Sequence, residues 1–140
     1  MPPAMLGTNV IDTNVLISAA LLPQSASARA LVLALERFEL CLSEPTWREL
    51  QQVIARPQFA RYLSDQARHQ FLQRLISVSR FVVTQSVVID CPDPKDNPFL
   101  KLALDVQAGF VVSGDQHLLA LEPWRGITIC TPSQFLLLNQ

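Results

Sequence analysis

Residues 10–19, VIDTNVLISA, carry an apolar pair into Asp12-Thr13-Asn14 and resume at once with Val15-Leu16-Ile17. A carboxylate stands where the pattern calls for burial. Val10 and Ile11 suit a strand, and the residues after Asp12 suit the first turn of a helix, with the aspartate at the favoured N-cap position. The same kind of join recurs along the chain. Strand-like segments fall at 9–11, 39–42, 80–83, 110–112 and 127–130, and helical periodicity covers roughly 25–38, 44–55, 65–78, 97–108, 115–121 and 133–138. Alternation of this kind predicts an α/β fold, a parallel sheet with helices on both faces. The strands are short and mostly apolar, as strands buried from both sides should be.

The composition agrees. At 140 residues, with 49% hydrophobic and 16% charged side chains, the chain is long enough to bury a core and too apolar to be disordered. No internal repeat or linker interrupts it, so it reads as a single domain over residues 1–140 with its core between about 9 and 138. No apolar run approaches the roughly 18 residues that a membrane-spanning helix needs. Met1-Pro2-Pro3-Ala4 carries no basic residue of a signal peptide, and a cytoplasmic location is the expectation. The three cysteines form no CxxC pair: Cys41 and Cys130 read as core thiols, Cys91 as a loop residue open to solvent.

The net charge of −1 excludes a protein that coats nucleic acid indiscriminately, but the charge is uneven. Arginines 48, 56, 61, 68, 74 and 80 face only Glu49 and Asp65 over residues 48–80. Aspartates 90, 93, 96, 105 and 115 face only Lys95 and Lys101 over residues 90–115. A basic flank beside an acidic cluster suits a protein that holds a phosphate backbone near bound metal, although solvated helix faces account for any single arginine.

In open α/β sheets, ligands bind beyond the carboxyl ends of the strands. Asp12 follows the first strand, Asp115 follows the fourth, and Asp96 opens a helix with Pro98 in its first turn. Each alone reads as a helix cap; three at one sheet edge do not. The helix SEPTWRELQQVIA offers a fourth carboxylate. On a wheel of about 100° per residue, Glu49 falls about 40° outside one end of the apolar arc and Glu44 about 60° outside the other, so periodicity leans toward Glu49 without deciding. Carboxylates about 4 Å apart repel by roughly 4 kcal/mol at an effective dielectric near 20. A proton or a cation must relieve that. All-oxygen donors favour Mg²⁺ or Mn²⁺, which polarises a phosphoryl oxygen and acidifies bound water. Phosphodiester hydrolysis and phosphoryl transfer both fit.

Other chemistries lack their residues. GxGxxG, P-loop and GxSxG patterns are absent, and the chain has only four glycines. His69 reads as a solvated helix residue, and His117, two positions after Asp115, as a surface or capping residue before a catalytic one.

The segments VIDTNVLISA, EPTWRELQQVIARPQF, CPDPKDNPFLKLAL and VVSGDQHLLAL, followed by ITICTPSQFL, occur in an order that resembles the PIN-domain (PilT N-terminus) family. The closest likeness is to its single-domain bacterial VapC-like toxins. The resemblance runs from about residue 9 to 138. It implies a three-layer α/β/α sandwich whose five-stranded parallel sheet has the order 3-2-1-4-5, and Mg²⁺- or Mn²⁺-dependent cleavage of single-stranded RNA by clustered acids. Carried over by position, those acids are Asp12, Glu49 rather than Glu44, Asp96 and Asp115. Asp12, Asp96 and Asp115 would bind the cation, and Glu49 would do so directly or through water. Asn14 and Asp93 are supporting residues, and Ser113 keeps the hydroxyl of a more usual threonine. Arg48, Arg56 and Arg61 are the candidates to contact RNA. The resemblance further implies an antitoxin protein as partner and a homodimer.

Two other readings carry their own sequence signals. A phosphatase or phosphotransferase with Asp12 as nucleophile would normally show DxD, and here the triplet is Asp12-Thr13-Asn14. A non-catalytic RNA- or protein-binding module on the same fold would be favoured by loss of an acid, and all four are present.

Overall fold

The computed structural model describes residues 6–140, so the expectation placed on Met1-Pro2-Pro3-Ala4 lies outside the described residues. Five parallel strands form one sheet: β1 (Thr8–Ile11), β2 (Glu39–Leu42), β3 (Arg80–Phe81), β4 (Phe110–Val112) and β5 (Thr128–Cys130), in the order β3-β2-β1-β4-β5. This is the α/β sandwich and strand order expected. Among the described residues seven α-helices accompany it: α1 (Thr13–Leu21), α2 (Ala26–Arg37), α3 (Glu44–Ile54), α4 (Asp65–Val78), α5 (Asn97–Val106), α6 (Gln116–Leu119) and α7 (Pro132–Leu138).

Local chemistry sets most boundaries. The Ser25 and Ser64 hydroxyls accept from the backbone N–H groups of Ala28 and Ala67 and start α2 and α4. Ser43 with Thr46, and Thr131 with Gln134, close capping boxes at α3 and α7, each followed by proline in the first turn. α5 ends where Gln107 turns left-handed at φ 52°.

Successive strand residues point to opposite faces, and the core divides accordingly. Ile11, Val112 and Cys130 pack with α1, α2 and α7 through Leu16, Ala30, Ala34 and Phe135. Val10, Cys41, Val111 and Ile129 pack on the other face with Leu100 and Ala103 of α5 and with Trp124. Burial on both faces explains why the strand sequences are continuous apolar runs. The register aligns Asn9 with Leu40 and Phe110, and Val112 with Cys130, which brings the ends of β1 and β4 level at one edge.

Two sequence expectations change, the length of β3 and the exposure of Cys91. The third strand does not extend to residue 83: Val82 N–H still donates to Leu42 O at 2.8 Å, but β2 ends there and Val83 is 81% exposed. The helix expected to start after Asp12 is α1, and its TNVLISAAL sequence is apolar nearly all round, which is why it carries no clear helical periodicity. Cys91 is buried, not exposed: its N–H donates to Asn97 Oδ1 at 3.0 Å and its side chain joins the core cluster under α5. Among the described residues no single helix is long and apolar enough to cross a membrane.

Candidate metal centre

Asp12 leaves β1 and caps α1, its Oδ1 accepting from Val15 N–H at 3.0 Å. Asp115 follows β4 and caps α6, accepting from the N–H groups of His117 at 2.8 Å and Leu118 at 3.2 Å. The capping reading therefore holds for both, and in each the cap uses Oδ1 alone. Asp96 ends a 3-10 turn, Pro94–Asp96, that leads into α5, and its side chain makes no capping hydrogen bond. Asp93 holds the start of that turn through Lys95 N–H, at 3.1 Å.

These elements bring Asp12, Glu49, Asp96 and Asp115 around one small pocket of about 140 Å³, with Asn14 and Arg56 also on its wall. Glu49 reaches in from α3, and its Oε2 accepts a hydrogen bond from Thr13 Oγ1. Glu44 points elsewhere and pairs with Arg48 one helical turn on, both largely exposed. The structure thus separates the two glutamates that the helical wheel left open. Larger depressions exist, including one of about 600 Å³ between β5 and α7, but its lining offers a single carboxylate, Glu122. Charge is concentrated in the small one.

Burial shapes the electrostatics. Asp12 is 5% exposed, and desolvation, the largest influence, raises its pKa above the usual carboxylate value. Hydrogen bonds from the Ser113 hydroxyl and Val15 N–H oppose that rise; the charges of Asp115 and Glu49 add to it. Asp96 is pushed up to about 7, first by burial, then by the charge of Asp115 and a hydrogen bond with it, then by Asp93 and Asp12. Such a cluster holds a proton near neutral pH or exchanges it for a cation. The donor set fits a hard divalent ion: several carboxylates converge, and one cation in the pocket neutralises the repulsion that raises Asp96.

Ser113 is wholly buried and ties the two strand ends together: its hydroxyl donates to Asp12 Oδ2 and accepts from Asp115 N–H at 2.9 Å. Of the arginines expected near nucleic acid, Arg56 lines the acid pocket. Arg48 is paired with Glu44, and Arg61 lies over the Tyr62 ring at 5.6 Å. A groove of about 530 Å³ adjoins the pocket and shares Asn14 and Asp115 with it. Two contributors escaped the sequence reading, Thr13 and Cys91. Thr13 was legible as a hydroxyl between two singled-out residues. Cys91, whose Sγ lies 3.9 Å from Asp96 Oδ2, gave no signal because its burial is tertiary.

A parallel sheet of this order with acids at the carboxyl ends of its strands defines a class of small α/β domains. The chain belongs to the PIN domain family: the family's sequence model matches residues 8–117, from the first residue of β1 to two positions past Asp115. Over 114 residues it is 30% identical to the uncharacterized protein MJ1680 of Methanocaldococcus jannaschii, covering 80% of this chain and 73% of that protein. By structure it is similar to PAE2754 from Pyrobaculum aerophilum, with a TM-score of 0.63 at 14% identity over 95% of this chain and 90% of the other. It is also similar to a chain of VapBC2 from Rickettsia felis bound to a DNA fragment from their promoter, with a TM-score of 0.60 at 12% identity over 87% and 96%. At such identities the likeness is one of fold.

Proposed function

We propose that this protein is a metal-dependent ribonuclease that hydrolyses phosphodiester bonds of single-stranded RNA, and that it is the toxin component of a toxin–antitoxin system. The observation that carries the reading is the convergence of Asp12, Glu49, Asp96 and Asp115 on one pocket, with Asp96 raised to about 7. Asp12, Asp96 and Asp115 would hold Mg²⁺ or Mn²⁺, with Glu49 binding directly or through water. When bound, the cation supplies Lewis acidity toward a phosphoryl oxygen and acidity to water.

The chain's own residues supply the rest. Arg56, beside the acids, offers a cation for the phosphate that the carboxylates would otherwise repel. Ser113 and Thr13 orient Asp12 and Glu49 by hydrogen bonds. Asn14 and Asp115, common to the pocket and the adjoining groove, border a path by which a strand reaches the acids. Asp93 supports the turn that presents Asp96. The pocket of about 140 Å³ is of a size for a single phosphate group, and on this reading that phosphate belongs to an unpaired strand.

The toxin role is supported by membership of the PIN domain family and by the fold shared with VapBC2, a complex bound to its promoter DNA. It brings an antitoxin protein as partner, a homodimer, a cytoplasmic location and one domain spanning residues 1–140.

The test is to incubate purified protein with structured and unstructured RNA, with and without Mn²⁺, beside Asp12→Asn and Asp115→Asn. Cleavage of unstructured RNA that needs Mn²⁺ and falls by about 10²–10³ in both variants supports the reading. No cleavage of any RNA favours a binding module, and release of phosphate from small phosphomonoesters favours a phosphatase.

A further inference from the structure

Beyond β3 the chain runs without helix or turn from Val82 to Asp90, and from Phe81 to Ile89 its burial alternates strictly. Val82, Thr84, Ser86 and Val88 turn inward, with Val88 wholly within the core that packs against α5. Phe81, Val83, Gln85, Val87 and Ile89 turn to solvent, and Val83, Val87 and Ile89 are 81%, 84% and 83% exposed. A period of two is the mark of an extended segment packed on one face. Here the outer face is apolar as well. With Ile76 and Val78 in the last turn of α4, this row holds half of the large apolar side chains that the described residues expose. Single exposed apolar side chains need no explanation, but a row of them does.

The segment is tied down at its middle and its end. The N–H groups of Gln85 and Ser86 donate to Asp105 Oδ2 at 2.5 and 3.3 Å, and the Ser86 hydroxyl donates to Asp105 Oδ1. Asp90 accepts from Trp124 Nε1 at 2.8 Å and from the Arg125 guanidinium at 2.9 Å. A row fixed in advance loses little freedom when it is covered. Because both central N–H groups are already taken, a partner meets the side chains of the segment and does not extend it by a backbone ladder.

The order of the row says what covers it. Reversed, it keeps its pattern: a second copy running the other way sets Phe81 against Ile89, Val83 against Val87, and Gln85 against Gln85. No charged residue lies between positions 81 and 89, and opposite charges stand at the two ends, Arg80 and Asp90. The reversed copy brings Arg80, which holds Glu39 at 3.4 Å, to the partner's Asp90, which holds the partner's Arg125 at 2.9 Å. A copy running the same way would set Arg80 on Arg80 and Asp90 on Asp90, which repel. We propose that residues 80–90 make a face-to-face contact with a second copy of this chain, antiparallel about a twofold axis at Gln85. Such a contact is isologous and closed, so it ends at a dimer. A standard interface covers about 800 Å² per partner, and this row supplies its apolar centre within a rim of charge. The inference rests on the homodimer reading above and names the surface that makes it.

The test is the oligomeric state of the full chain, followed by sedimentation velocity over a dilution series. The native chain is expected to be a dimer. Val83→Asp and Val87→Lys each set a charge against an apolar side chain twice in a symmetric pair, and each should raise the dissociation constant about tenfold or more. Both positions are exposed within one chain, and circular dichroism checks that the variants stay folded. Mixed in equal amounts, the two variants should associate with each other, because the reversed register then sets the new acid against the new base. Gln85→Cys should cross-link to itself on oxidation, whereas Val32→Cys, exposed on α2, should not; the native cysteines are all buried. A dimer that neither substitution weakens, or a mixture that stays apart, overturns the surface and leaves the homodimer reading to another face. A native chain that is monomeric throughout overturns both. A monomer whose residues 81–89 gain protection from hydrogen exchange only with an antitoxin protein bound gives the row to that partner and overturns the pairing of copies.

Discussion

Ser113 and Asp12 lie 101 positions apart in the chain, yet the Ser113 hydroxyl donates a hydrogen bond to the Asp12 carboxylate. The same hydroxyl accepts from Asp115 N–H at 2.9 Å. One buried oxygen therefore sets the orientation of Asp12 and the turn that presents Asp115. Removing it should loosen the site without unfolding the sheet. Ser113→Ala is expected to weaken Mn²⁺ binding about tenfold, the lower end of what loss of an orienting partner costs. Ser113→Thr, which keeps the hydroxyl, should restore most of the affinity. Calorimetric Mn²⁺ titration checks both, and equal affinity in all three proteins would sink the orienting role.

The raised pKa of Asp96 has a consequence for stability. Its carboxyl stands near 7 in the folded chain against an ordinary value of 3.8, so the folded state favours the protonated acid. That contribution is complete below the unfolded value and is lost as pH rises through about 7. Asp12, also raised, acts in the same sense. Metal-free protein should therefore melt at a lower temperature at pH 8 than at pH 5.5. Saturating Mn²⁺ should flatten the profile by stabilising the charged acids, and so should Asp96→Asn. Scanning calorimetry across this range is the measurement; a metal-free profile that rises with pH would contradict the assignment.

Glu49 and Glu44 occupy the same helix and differ in what they face. Glu49 lines the acid pocket and accepts from Thr13, whereas Glu44 pairs with Arg48 in solvent. Glu49→Gln should lower RNA cleavage about 10²-fold or more. Glu44→Gln should leave cleavage unchanged and shift stability by no more than about 0.5 kcal/mol, the scale of an exposed pair. Comparing the two in one cleavage assay decides between them.

Arg56 and Arg48 form a similar contrast for binding. Arg56 is on the pocket wall, and Arg48 is neutralised by Glu44. Arg56→Ala is expected to raise KM for RNA several-fold with a smaller change in kcat, and to shallow the salt dependence of binding. Arg48→Ala should change KM less. A larger effect at Arg48 would move the RNA path to the outer face of α3.

Far from the acids, Phe135 of α7 packs wholly buried against Phe110 and Phe38, with ring centroids 5.1 and 5.6 Å away. It closes one face of the sheet beneath α2 and α7. Phe135→Ala should cost about 3–5 kcal/mol in urea unfolding. Val83→Ser, at an exposed position, should stay within about 0.5 kcal/mol.

Much of this architecture is readable from local chemistry. Ser25, Ser43, Ser64 and Thr131 announce helix starts, and strands such as Phe110–Val112 are apolar throughout because both their faces are covered. Local reading fails where neighbours decide. Val82 and Val83 look like strand, but the strand ends when its partner β2 ends at Leu42. Cys91 looks like a loop residue, but the fold lays its loop over the sheet face beneath α5.

The kind and order of the elements, and the place of Asp12, Asp96 and Asp115 at strand ends and helix starts, follow from the amino-acid sequence alone. Those properties depend on residues within a few positions of one another. The helical wheel alone left Glu49 and Glu44 open, and the family resemblance already favoured Glu49; it took the folded chain to show that Ser113 bonds Asp12 and that His117 stands beside Asp93. Desolvation and charge repulsion act over a few ångströms in space, whatever the separation along the chain, so the protonation of Asp96 belongs to the assembled sheet and to no segment of it.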